Sequence, residues 1–139
     1  MDDRRNDSVA MPHCGVAFAR RVFLFAGIIG LGMLLPQYFL EERIGVDQPP
    51  AITHPEFFYG FVGVAAAWQV AFLIISRDPI RYRTLMLAAM LEKASFVVAV
   101  AGLYFAGRTS TITAVCGGLD LVWGLLFAAA FARTSPGRA

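Results

Sequence analysis

The sequence predicts an all-α fold, a bundle of four transmembrane helices with both termini cytoplasmic. Four apolar runs lie at residues 20–40, 57–76, 84–106 and 111–132. Each has the roughly 20 residues that a helix needs to cross a hydrocarbon core of about 30 Å. Hydrophobic residues make up 58% of the chain against 16% charged, with a mean hydropathy of +0.61, a balance that excludes an ordinary soluble globule. Arginines supply the third observation. Arg4, Arg5, Arg20, Arg21, Arg77, Arg81, Arg83, Arg133 and Arg138 fall on the side of the termini, and only Arg43 and Arg108 on the other. Cytoplasmic loops carry such an excess, which sets the orientation.

Backbone groups inside lipid must be satisfied within the segment or in a closed barrel, and these runs are too long and continuous for barrel strands. At 139 residues there is room for one domain. The net charge of +2 is too small to point to nucleic acid. Cys14 in the N-terminal region and Cys116 inside an apolar run do not make a disulfide framework.

Taken in order, residues 1–15 mix both charges with small and polar residues and show no apolar period, so they read as a disordered cytoplasmic tail. Arg20 and Arg21 precede the first apolar run in the manner of a secretory signal, and also of a twin-arginine signal. No small-residue cleavage site follows and further spans do, which makes this an uncleaved first span. Pro36 near its far end should kink or end the regular helix. Residues 41–56 hold Pro49, Pro50 and Pro55 with Glu41, Glu42, Asp47 and Glu56, an extended, solvent-facing connection with at most a short interfacial turn. Phe57, Phe58 and Tyr59 open the second span as an interfacial aromatic belt. A basic turn from Arg77 leads to the third span, and Gly107 to Ser110 turn the chain into the fourth. Residues 134–139 form a short cytoplasmic tail. No internal repeat is present, so an inverted-repeat transporter is not indicated.

The third span carries Glu92 and Lys93 well inside its length, and the fourth carries Asp120 in its middle. A charge at such depth costs about 2.5–3.5 kcal/mol on insertion scales and is usually buried against a partner or a wet cavity. Helix rise places Glu92 about 13 Å, Asp120 about 20 Å and Gln69 about 12 Å from the arginines at their own cytoplasmic ends. Gln69, Glu92, Lys93 and Asp120 therefore share one slab, and a polar cluster of these four residues, open toward the cytoplasm, is the candidate site. Ala88, Glu92, Ser95, Ala99, Gly102 and Ala106 recur at helical spacing, as do Gly117, Asp120, Gly124 and Ala128, so the third and fourth spans should pack through these small-residue stripes. Two carboxylates sharing one lysine leave one negative charge over. The cluster reads equally as a device that fixes helix register and as a centre that binds a proton, an ion or a polar headgroup.

Other signals carry less. His54 with Glu56, and His13 with Cys14, fall short of a metal site, and no histidine lies within a span to hold haem. No phosphate-binding loop, zinc motif or Ser/His/Asp arrangement is present. No metal and no cofactor is expected. Trp68 and Trp123 read as residues that fill the bundle.

The run from His54 to Phe61, then Ala67-Trp68-Gln69, Arg77-Asp78-Pro79, Leu91-Glu92-Lys93 and the stretch from Asp120 to Phe127, resembles small four-helix proteins of the bacterial inner membrane that have no assigned activity. The resemblance covers residues 54–133 and implies a bacterial inner-membrane location and the same fold. The first functional reading is a bundle without its own catalysis, which associates with itself as a homo-oligomer or with a larger membrane complex in the lipid bilayer. The second is a proton- or ion-coupled carrier using Glu92 and Asp120. The third is an enzyme acting on a lipid or isoprenoid, with those two carboxyls as acid and base.

Overall fold

The computed structural model describes residues 7–135, with side-chain surroundings from residue 14 onward. The chain runs through α1 (Asp7–Leu34), a 3-10 turn (Leu35–Phe39), α2 (Glu41–Asp47), α3 (Pro55–Arg77), α4 (Arg83–Phe105) and α5 (Thr111–Arg133). No strand occurs among the described residues. Four segments are long and apolar enough to cross a membrane: Cys14–Phe39, Pro55–Arg77, Arg83–Phe105 and Thr111–Arg133. They coincide closely with the four apolar runs.

Local chemistry sets the helix ends. Pro36 has no N–H to continue the α-helical ladder, so α1 gives way to a 3-10 turn at Leu35. Pro55 opens α3, where a missing N–H costs nothing. Gly107 adopts a φ of 67°, and Arg108 N donates to Leu103 O at 2.8 Å in the close that follows α4. Only glycine takes that left-handed conformation without steric cost. The Ser110 side chain then caps α5 by accepting from Thr113 N at 3.2 Å.

α1 packs along α3 and α4 along α5, while α1 meets α5 and α3 touches α4 only sparsely. The bundle is thus two helix pairs. Gly27 and Gly30 let α1 approach α3: a Cβ on Gly27 would stand 2.7 Å from Leu73 Cδ2, and one on Gly30 would collide with the Gln69 side chain. In lipid, where tails are as apolar as leucine, such close approach is what drives helix association. The pairs join through fully buried rings. Phe23 of α1 stacks on Phe127 of α5 at 4.3 Å between centroids, and Phe72 of α3 meets Phe127 edge-on at 4.9 Å. Ile75, Met86, Ala89 and Ala130 complete this core, which lies toward the end of the bundle where the described chain begins and ends.

Arginines cap that same end. Arg20 Nη2 donates to Arg77 O at 3.1 Å, and Arg83 Nη2 donates to Phe131 O at 3.3 Å. These carbonyls lie in the last turns of α3 and α5, where orphaned acceptors and the helix dipole both favour positive charge. Arg83 also lies 3.6 Å over the Phe131 ring, and Arg133 lies 4.3 Å over Phe18. The basic flank that suggested topology is also a set of helix caps.

Three expectations change. Helix α1 begins at Asp7, so residues 7–15 of the expected disordered tail are helical, while residues 1–6 and the last four residues lie outside the described part. The connection at 41–56 contains a true helix, α2, with Glu41 and Glu42 in its first turn, where acids suit the dipole. The face of α4 that packs is Met86, Ala89, Lys93 and Val100, whereas Ser95, Ala99, Gly102 and Ala106 of the expected stripe are exposed. A nearly uniform apolar helix offers several small-residue stripes, and the charge that must be neutralised from two sides decides which one turns inward. On α5 the expectation holds for Gly117, Asp120 and Gly124: a Cβ on Gly117 would meet Val100 Cγ1 at 2.9 Å. Ala128 is exposed and Phe127 takes the buried place.

Candidate functional site: a charged chamber between the helix pairs

Beyond the phenylalanine core the two pairs part and leave between them a chamber of about 1050 Å³ that is partly open at its side. Its walls come from all four long helices and are mainly apolar, with Phe61 and Phe96 stacked across the α3–α4 gap at 6.0 Å. Ile44 of α2 and Gln48 just after it also line the chamber. Tyr59 Oη donates to Glu41 Oε2 at 2.7 Å, tying the start of α2 to α3. Ser110 Oγ donates to Gln48 Oε1 at 3.2 Å, tying the residue after α2 to the start of α5. The chamber is roofed by α2 and floored by aromatic rings.

Lys93 sits at the floor. Its Nζ donates to Asp120 Oδ1 at 3.0 Å and lies 3.3 Å from Glu92 Oε2 and 3.5 Å from Glu92 Oε1. It also stands 5.5 Å from the centroid of the Phe72 ring. Only 7% of the Lys93 side chain is exposed, against 18% for Glu92 and 22% for Asp120. The lysine is therefore the most buried member of the trio, and all three residues line the chamber. Gly124 makes room for this, since a Cβ there would lie 3.4 Å from Lys93 Cβ. Glu92 Oε2 is buried and accepts no hydrogen bond. Its contact with Nζ is an ion pair without hydrogen-bond alignment.

Gln69 lines the same chamber but stands apart from the charged trio. Its Nε2 donates to Ala65 O at 3.2 Å, and its side chain lies against Gly30 of α1. So three of the four predicted site residues meet, and the fourth serves the α1–α3 seam. Relative to the helix ends, the cluster opens away from the side on which the described chain begins and ends. Phe23, Phe72 and Phe127 close the floor on the side of the capping arginines, and the chamber lies on the side of the α4–α5 turn. Rise counted along each helix brings Glu92, Lys93 and Asp120 to one level but carries no information on which side of that level the helices separate.

Sequence reasoning missed the chamber and its roof. Trp68 and Trp123 do fill the bundle, lying 6.2 Å from Phe72 and 6.4 Å from Phe127 between centroids, yet both also line the chamber. For α2 a signal was present: paired acids followed by Ile44 and then a Gln-Pro-Pro stop read as a short helix. Among the described residues, no group of three or more His, Cys, Asp or Glu side chains is placed to hold a metal ion. No protein-family model, curated protein or solved structure matches this chain, so the site is read from its geometry.

Proposed function

We propose that this multi-pass membrane protein is a binding protein for a small amphiphile, held with its apolar body in the chamber and its polar end on Glu92, Lys93 and Asp120. The observation that carries the proposal is the chamber's combination of size, apolar walls and a charged floor. Ligand sites are concave, mostly apolar clefts of about 300–1,000 Å³ with a few convergent polar groups. A cluster serving only helix register would need no open volume beside it. The proposal includes a bacterial inner-membrane location with cytoplasmic termini. The gathering of Arg20, Arg77, Arg83 and Arg133 at one end supports that orientation.

The test uses the full chain in phosphatidylcholine discs. Trp68 and Trp123 are the chain's two tryptophans, and both line the chamber, so intrinsic emission reports occupancy. Titration with dodecanol should change the emission saturably. A response that only rises in proportion to added dodecanol, as bulk partitioning gives, would sink the proposal.

A second reading, a self-associating or accessory bundle, is favoured by one observation. Ser95, Ala99, Gly102 and Ala106 form an outward small-residue face on α4, and a Cβ on Gly102 would meet nothing. Such faces suit close helix contact with a second chain. If they pair, Gly102→Leu should shift the protein toward monomer in lipid, read by single-molecule photobleaching. An unchanged step distribution would remove this reading.

A further inference from the structure

The chamber has a net charge and restricted access, and together these say what kind of molecule fits. Glu92, Lys93 and Asp120 all line the chamber and carry formal charges that sum to one negative charge, and the two carboxylates are more exposed than the lysine. Among the described residues, no other charged side chain lines it. Burying one uncompensated negative charge in an apolar wall is unfavourable, and an occupant bearing one positive charge would offset it. Glu92 Oε2 lacks a hydrogen-bond donor, which a turn of the carboxylate would bring to an entering N–H. Trp68 and Trp123 also line the chamber, and indole is the side chain that attracts cations best.

Access is the second constraint. The α2 roof is tied down at both ends through Tyr59–Glu41 and Ser110–Gln48. The phenylalanine core blocks the opposite end. What remains is the separation between the helix pairs, where Ile29, Val64, Leu91 and Leu119 line the chamber while retaining 46%, 63%, 69% and 50% of their exposure. A molecule using that route is already dissolved in the bilayer. Its charged group must also reach the middle of the membrane, which excludes lipids anchored by large headgroups at the interface.

We infer that the occupant is a lipophilic monocation, an alkyl or aryl amine in its ammonium form. It moves in from the bilayer between the helix pairs and places its N–H donors on Glu92 and Asp120. The inference rests on the binding reading above and deepens it.

The experiment compares dodecylamine, dodecanol and dodecanoate, which share one tail, on the full chain in phosphatidylcholine discs at neutral pH, again through tryptophan emission. Dodecylamine should bind about tenfold more tightly than dodecanol, or more, a difference of ~1.4 kcal/mol. Dodecanoate should give no saturable change. Glu92→Gln makes the cluster neutral and should bring dodecylamine down to the affinity that dodecanol shows on the same variant. Asp120→Asn should act in the same direction and serves where Glu92→Gln does not fold. Equal affinity for amine and alcohol in the native chain, or an amine preference that survives both substitutions, overturns the cation assignment while the chamber stands. Absence of a saturable response to all three probes overturns the chamber reading itself.

Discussion

Replacing Lys93 by methionine should destabilise the bundle by about 3–5 kcal/mol, the loss that follows when one partner of a buried ion cluster is removed. The geometry sets the ceiling. Lys93 Nζ lies 3.0 Å from Asp120 and 3.3 Å from Glu92, and at an effective dielectric constant of about 20 each contact represents a gross attraction of roughly 5 kcal/mol. Desolvation offsets much of that while the trio is complete. Without the lysine, the desolvation of two carboxylates stays and the attraction goes. Methionine matches the length of the side chain but for its terminal ammonium, so the packing of Lys93 Cβ beside Gly124 changes little while the ammonium over the Phe72 ring is lost. The control is the neutral triple variant Glu92→Gln, Lys93→Met, Asp120→Asn, which removes every charge together and should lie within about 1 kcal/mol of the native chain. Unfolding in lipid–detergent micelles with rising dodecyl sulfate, followed by circular dichroism, measures all three. A Lys93→Met bundle as stable as the native one, or a triple variant as weak as the single one, would refute this reasoning.

Further outcomes follow from the same contacts. Gly30→Val should cost about 1–3 kcal/mol by forcing α1 from Gln69, whereas Gly32→Val, with open space around it, should lie within about 0.5–1 kcal/mol of native; the same unfolding assay separates them. Phe127→Ala removes the ring that both Phe23 and Phe72 touch. The loss should be about 1–3 kcal/mol, below the ~3–5 kcal/mol of water-soluble cores, because a ring leaving the bundle in lipid passes from one apolar medium to another. For topology, a fluorescent-protein fusion at the C-terminus should fluoresce in a bacterial host and an alkaline phosphatase fusion there should be inactive; the opposite pair of results would reverse the orientation.

Much of the architecture was legible in the sequence because length and apolarity are properties of single segments. Span boundaries, the turn at Gly107 and the end of α1 just before Pro36 all follow from local chemistry. The meeting of Glu92, Lys93 and Asp120 was legible for a related reason: charges at one depth on neighbouring helices have few other partners. Rotation about each helix axis was not. In α4 the stripe through Ser95, Ala99 and Gly102 matches the spacing of a contact face as well as the face through Met86, Lys93 and Val100 does. Burial of Lys93 between two carboxylates settles it, a tertiary fact. Gln69 was misplaced for the same reason, since its amide is satisfied on its own helix. The chamber arises from the parting of two helix pairs, which no single segment encodes.

Location of the occupant tests the central claim most directly. A diazirine-bearing dodecylamine, irradiated with the full chain in lipid discs and mapped by peptide mass spectrometry, marks whatever its tail touches. Labelling should concentrate on chamber residues such as Trp68, Leu91 and Leu119 and should fall when excess dodecylamine competes. Labelling spread evenly over outward-facing residues away from the chamber, such as Phe25, Val98 and Val122, and unaffected by competitor, would contradict it.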